Sequence, residues 1–271
     1  MMETDRHLPN ADRLSIVAAI IMLAYALTSL ITFPQQQASL QLPGFLLELR
    51  INSLSVVSLL TAGMAAAGMD WLLQDHPGMK TRKHMPHLLL PALTAWLIGV
   101  PLNTMPVSPG WWAVFILGGV FFIFVLLAEY VSVSNTDIYY APAAMGLIAL
   151  SFALFLFLAI AVRASAARLY VTLPALVLAA GFASLRSLYL RLGGRLYWEW
   201  AAAIALLVGQ AAVGLHYLPV RPLQFGLFLA GFAYALTALA CGLAEERPAW
   251  QKWLEPVLMF FFSVILGVVI G

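Results

Sequence analysis

The stretch Trp111–Val131 reads WWAVFILGGVFFIFVLLAEYV, and it holds no charged residue before Glu129. About 20 successive apolar residues carry a helix across the hydrocarbon core of a bilayer, which is ~30 Å thick. In hydrocarbon every backbone N–H and C=O must be bonded within the protein, which leaves helices or closed barrels. The run is continuous where a barrel strand would alternate, so it reads as a helix.

Outward from it the pattern recurs on both sides with little chain between. Spans are expected near 14–33, 52–73, 86–104, 111–131, 140–162, 169–190, 197–217, 222–243 and 254–271. The third carries Pro86, Pro91 and Pro101, and the count is eight if it does not cross. The expected fold is all-α, a polytopic integral membrane helical bundle, with no linker to divide its one domain. Composition agrees. The chain is 63% hydrophobic and 10% charged, where a soluble domain carries about 25% charged residues, and its mean hydropathy is +0.93. Met1 to Arg13 is polar and mixed in charge, and Leu14–Phe33 exceeds the length of a signal h-region. That segment is therefore read as a retained first span. The single cysteine, Cys241, reads as a small buried hydrophobe.

Sidedness follows from Lys and Arg, which favour the cytoplasmic side. With nine spans, ten of the fourteen fall on the side of the N-terminus: Arg6, Arg13, Lys80, Arg82, Lys83, Arg186, Arg191, Arg195, Arg247 and Lys252. The other side has Arg50, Arg163, Arg168 and Arg221. The expectation is a bacterial-type inner (plasma) membrane, N-terminus cytoplasmic and C-terminus extracytoplasmic. Trp111 and Trp112 at one level, and Trp71, Trp198, Trp200, Trp250 and Trp253 at the other, read as aromatic belts.

Ionisable side chains inside a membrane are costly and mark function by default. Here the middles of the spans lack them. Asp70, Glu129, Arg186, Glu199 and Glu255 instead gather at helix ends that sidedness assigns to the cytoplasm. Capping and snorkelling explain such residues; the sharper reading is a shared polar pocket in which Arg186 pairs with one of the carboxylates. Lys80, Arg82 and Lys83 suit an anionic headgroup or a phosphate on that face. A metal is disfavoured by these cations; its ligands, if any, would be His76, His84, His87 and Asp75. Mid-span, Gln210 needs a partner for its amide and reads as interhelical glue, while Thr94 and Ser151 can bond back to their own helices.

Between the first two spans, Pro34–Ile51 interleaves apolar and polar residues, as a short strand or an interfacial segment would. Small residues recur at four-residue spacing in Gly63/Ala67, Ala201/Ala205/Gly209, Gly226/Ala230 and Gly231/Ala235. Such faces let helix backbones approach, within the bundle or between copies.

Several chemistries are excluded. No span carries a lysine for a Schiff base, no arginines recur at every third position, and no Gly-rich phosphate loop precedes a helix. The His, Asp and Ser set of membrane hydrolases related to alkaline ceramidases is not matched. His216 lies at the opposite end of the spans from His76, His84 and His87, ~30 Å away. No cofactor and no nucleic acid is expected; the expected partners are membrane lipids, with anionic headgroups on the cytoplasmic side, and a second copy or another membrane subunit. Three functions stay open: a non-enzymatic protein that binds a lipid or apolar small molecule or holds an assembly; a transporter or channel for an uncharged or weakly polar solute; and an inner-face enzyme acting on a lipid-linked or phosphorylated substrate.

Overall fold

The computed structural model describes residues 9–28, 36–42, 45–51, 53–74, 76, 85–134, 137–165, 168–246 and 248–270. Among them are nine helices and one hairpin: α1 (Ala11–Thr28), β1 (Gln36–Leu42), β2 (Phe45–Ile51), α2 (Ser53–Leu73), α3 (Met85–Thr104), α4 (Pro109–Val131), α5 (Tyr140–Ala164), α6 (Leu169–Arg191), α7 (Trp198–His216), α8 (Pro222–Ala244) and α9 (Ala249–Ile270). Among the described residues six helical stretches are long and apolar enough to cross a membrane: Pro109–Val131, Tyr140–Ala164, Thr172–Arg191, Trp198–His216, Pro222–Ala244 and Trp250–Ile270. Shorter apolar stretches lie in α2 (Val57–Leu73) and α3 (Pro86–Leu102). The protein is a helical membrane bundle. Its contacts gather in two compact units, Met1–Ala143 and Ala144–Gly271.

In the first unit α1 packs on α2, α3 and α4, α2 packs on α3, and α3 packs on α4. The core is apolar, with Ile21, Tyr25, Met69, Leu72, Phe122 and Leu126 nearly inaccessible. Near the start of α1, Arg13 donates Nη1–H to the Trp71 carbonyl at 3.1 Å and lies over the Trp71 ring at 4.8 Å. That carbonyl sits in the last turn of α2, where helix carbonyls lack partners. Near the other end of α1, the Tyr25 hydroxyl donates to the Ala95 carbonyl of α3. These contacts run α1 antiparallel to α2 and parallel to α3.

Helix α4 begins on Ser108-Pro109. The serine hydroxyl accepts from the Trp111 amide at 3.3 Å, and a proline is at ease at the first helical position because its missing N–H would be unpaired there anyway. Trp111 itself is buried, and its indole donates to the Leu102 carbonyl at 2.9 Å. It is therefore a core residue, and only Trp112, which is exposed, fits the belt expected of both.

In the second unit α6 packs on α7, both pack on α8, and α8 packs most extensively on α9. The α6–α7 turn uses Gly193 and Gly194 at φ 70° and 85°, a left-handed conformation that side chains resist. Arg163, at the end of α5, donates to the carbonyls of His216, Leu218 and Val220 at 3.1, 3.0 and 3.5 Å. It satisfies the turn between α7 and α8. Thr94 and Ser151 bond back to Leu90 and Leu147 at 2.8 Å each, as expected.

Helix α9 begins at Ala249, five residues earlier than expected, and takes Pro256 into its second turn. At the other end of the chain α1 begins three residues early, and residues 29–33 of the expected span lie outside the described residues. The segment Pro34–Ile51 resolves in favour of strand over its described part: β1 and β2 pair antiparallel, with Gln36 opposite Ile51 and Leu42 opposite Phe45.

Two glycines set the distance between α8 and α9. A Cβ on Gly231 would lie 2.3 Å from the Ser263 Cβ, and one on Gly267 would lie 2.7 Å from the Phe228 ring. Each helix thus lodges a side chain against a bare position of the other. Gly209 and Gly226 pack in the same manner against Val177 and Ile160, whereas Gly63 has open space around it. Gly231→Ala is expected to cost about 1–3 kcal/mol by overpacking, and Gly63→Ala to stay within about 0.5 kcal/mol. Reaction of the buried Cys241 thiol with a fluorogenic maleimide during heating measures the first, and thermal loss of helical circular dichroism measures the second.

Candidate functional site

Among the described residues each unit shows a polar cluster between helices. In the first, the opening turn of α3 brings His87 against Glu129, in the last turn of α4. His87 Nδ1 and Glu129 Oε2 are 2.9 Å apart, and both side chains are 0% exposed. Ser132, the C-cap of α4, donates Oγ–H to the Glu129 carbonyl at 2.9 Å and lies 3.4 Å from the same His87 nitrogen. Two turns of backbone thus wrap a carboxylate and an imidazole away from any solvent. His76, buried just beyond α2, meets the Tyr130 ring edge-on at 4.6 Å between centroids. Asp137, also buried, accepts from the Tyr139 amide at 2.8 Å and opens α5.

This cluster has three residue types used in hydrolysis, but its geometry is not that of a relay. A Ser-His-acid triad sets the acid on one ring nitrogen and the nucleophile on the other. Here Glu129 and Ser132 both address Nδ1. What the geometry shows is a buried hydrogen bond between an imidazole and a carboxyl group, in which loss of one partner deprives the other of that bond.

In the second unit three helices converge on one carboxylate. Arg191, the last residue of α6, donates Nη1–H to Glu255 Oε1 at 3.0 Å and Nη2–H to the Tyr234 hydroxyl at 2.7 Å. Tyr234, midway along α8, donates in turn to the same Oε1 at 2.8 Å. The three bonds close a ring. The guanidinium also lies over the Tyr234 ring at 5.4 Å, and Phe152 of α5 meets that ring edge-on. Close by in sequence, Thr237 donates to the Ala233 carbonyl at 2.7 Å, and its oxygen lies 3.1 Å from Ser184 Oγ, whose hydroxyl can donate to it.

A groove of about 400 Å³ runs along α9 beside this ring, lined among the described residues by Gln251, Leu254, Glu255, Leu258 and Met259. These positions recur at three- and four-residue intervals, so they share one helix face. A smaller apolar hollow of about 170 Å³ lies between α8 and α9, with Phe232, Leu239, Trp253 and Phe261 among its walls.

The five residues expected to share a pocket fall in both units. In the first, Glu129 meets His87, and Asp70 accepts from Gln74 at 3.4 Å. In the second, Glu255 takes Arg191 as its partner at a site where Arg186 was the candidate. Arg186 is buried, with its guanidinium over the Tyr189 ring at 5.3 Å, and Glu199 is exposed in the first turn of α7. Gln210 lies on the exposed face of α7, not between helices of its own unit. Asp75, Lys80, Arg82, Lys83 and His84 lie outside the described residues. Among the described residues no three His, Cys, Asp or Glu side chains are placed to hold a metal ion. Ser132, Arg191 and Tyr234 were not anticipated as site residues; the two arginines of α6 are five positions apart, and Tyr234 carries no charge to single it out.

His87→Ala and Glu129→Ala are each expected to cost about 1–3 kcal/mol, because each removes the partner of a buried polar group. The double variant should cost clearly less than the sum. Thermal midpoints of the four proteins in one detergent make the cycle, and strict additivity would show that the pair contributes no coupling.

Comparison with curated proteins and with solved structures finds no match. Residues 33–270 match the family described as protein of unknown function (DUF5656), and the chain belongs to that family.

Proposed function

We propose that the protein is a non-enzymatic membrane protein that retains a lipid or a comparable apolar molecule along α9. The observation that carries this reading is the groove beside the Arg191–Tyr234–Glu255 ring. Its wall is apolar and exposed, with Leu254 at 52%, Leu258 at 60% and Met259 at 40%. Its polar end is Gln251 and a carboxylate held from α6 and α8. A polar group braced by two other helices is fixed in position, which lowers the ordering cost of binding to it. An amphiphile matches that arrangement: an acyl chain along the leucines and a headgroup at Glu255.

Leu258→Trp fills the groove and is expected to cut the lipid that co-purifies with the protein at least tenfold, read by native mass spectrometry. Leu206→Trp, on an exposed position of α7, should leave it unchanged. No retained lipid in the parent, or equal retention in both variants, overturns the proposal.

We also propose that the membrane is a plasma-type inner membrane, with the N-terminus in the cytoplasm. The ten-to-four division of Lys and Arg supports this. Arg163, one of the four, has a separate reason for its place, since it clamps the carbonyls of the α7–α8 turn. In a Cys241→Ser background, Thr81→Cys is expected to resist an impermeant maleimide in intact cells and to react once they are broken. Labelling in intact cells would invert the orientation.

A further inference from the structure

We propose that the β1–β2 hairpin is an amphipathic surface element whose apolar face rests on the bilayer interface. This proposal is independent of the groove on α9. Strand positions alternate between two faces, and the register fixes which positions share one. Leu40 pairs with Leu47, Leu42 with Phe45 and Ala38 with Leu49, all on the same face. Gln41 pairs with Leu46, Ser39 with Glu48 and Gln37 with Arg50 on the other. Apart from Gln36 and Leu46, one face is apolar and the other polar.

An isolated two-stranded hairpin is marginal in water, so an apolar face of this kind needs a cover. Its attachment says which. Ile51 is separated from Ser53, the first residue of α2, by one position, so the hairpin is tethered to the end of that helix. The same end of the unit carries the start of α4, because Trp111 donates to Leu102 at the close of α3 and Tyr25 ties the close of α1 to α3. Trp112, exposed there beside Phe115 at 5.7 Å, is an aromatic residue of the type that marks headgroup level. A hairpin held at that level, apolar on one face and carrying Glu48 and Arg50 on the other, is complementary to a lipid surface.

The test uses the full chain with Cys241→Ser, reconstituted in phosphatidylcholine–phosphatidylglycerol vesicles. Single cysteines replace Leu40, Gln41, Leu47 and Glu48 in turn, each carrying a spin label, and each variant is first matched to the parent in elution and helix content. Collision with dissolved oxygen reports lipid, and collision with a water-soluble nickel chelate reports water. The expected result is alternation: positions 40 and 47 favour oxygen, and 41 and 48 favour nickel. Uniform access to nickel overturns the proposal. So does protection of 40 and 47 from both reagents, which would mean that protein covers this face.

Discussion

A backbone amide or a carboxylate inside hydrocarbon has no water to turn to, so its partner must come from the chain itself. That constraint organises both units. It makes the long apolar stretches helical, and it explains how their few polar groups are arranged. Arg13 closes the carbonyl end of α2, Trp111 that of α3, and Arg163 the turn after α7. Two carboxylates at helix ends follow it as well, Glu129 against His87 and Glu255 against Arg191 and Tyr234. Each unit therefore has polar contacts that bind helices together in places where apolar packing alone would leave their relative register loose.

Much of this was legible in the chain. The apolar runs located the nine described helices, and six of them contain stretches long and apolar enough to cross a membrane. Boundaries were less secure at α9, where the apolar run begins near Leu254 although the helix already runs from Ala249 through the polar Gln251 and Lys252. Nothing in composition distinguishes two adjacent tryptophans, so Trp111 was assigned to the surface although its indole is needed inside. Alternation in Pro34–Ile51 suggested a strand but carried no information about its partner, and the partner proved to be the other half of the same segment.

The polar sites were legible as positions and not as pairs. Helix ends with Glu129, Glu255 and two α6 arginines could be marked, yet pairing depends on which faces meet after the helices pack. His87 and Glu129 are far apart in sequence and become neighbours only when α3 lies on α4. Tyr234 was invisible because an uncharged residue in a greasy helix looks like any other aromatic, while its hydroxyl is the link that joins α8 to the Arg191–Glu255 pair.

The reciprocal seating of Ser263 at Gly231 and Phe228 at Gly267 has a mechanical corollary. Sliding α9 by one helical turn, about 5.4 Å, would unseat both side chains together and drive each into a neighbouring residue. Piston-like motion is thereby closed to α9. A displacement of α9 along its axis has to lift both side chains from their seats at once, so it meets α8 at two levels together.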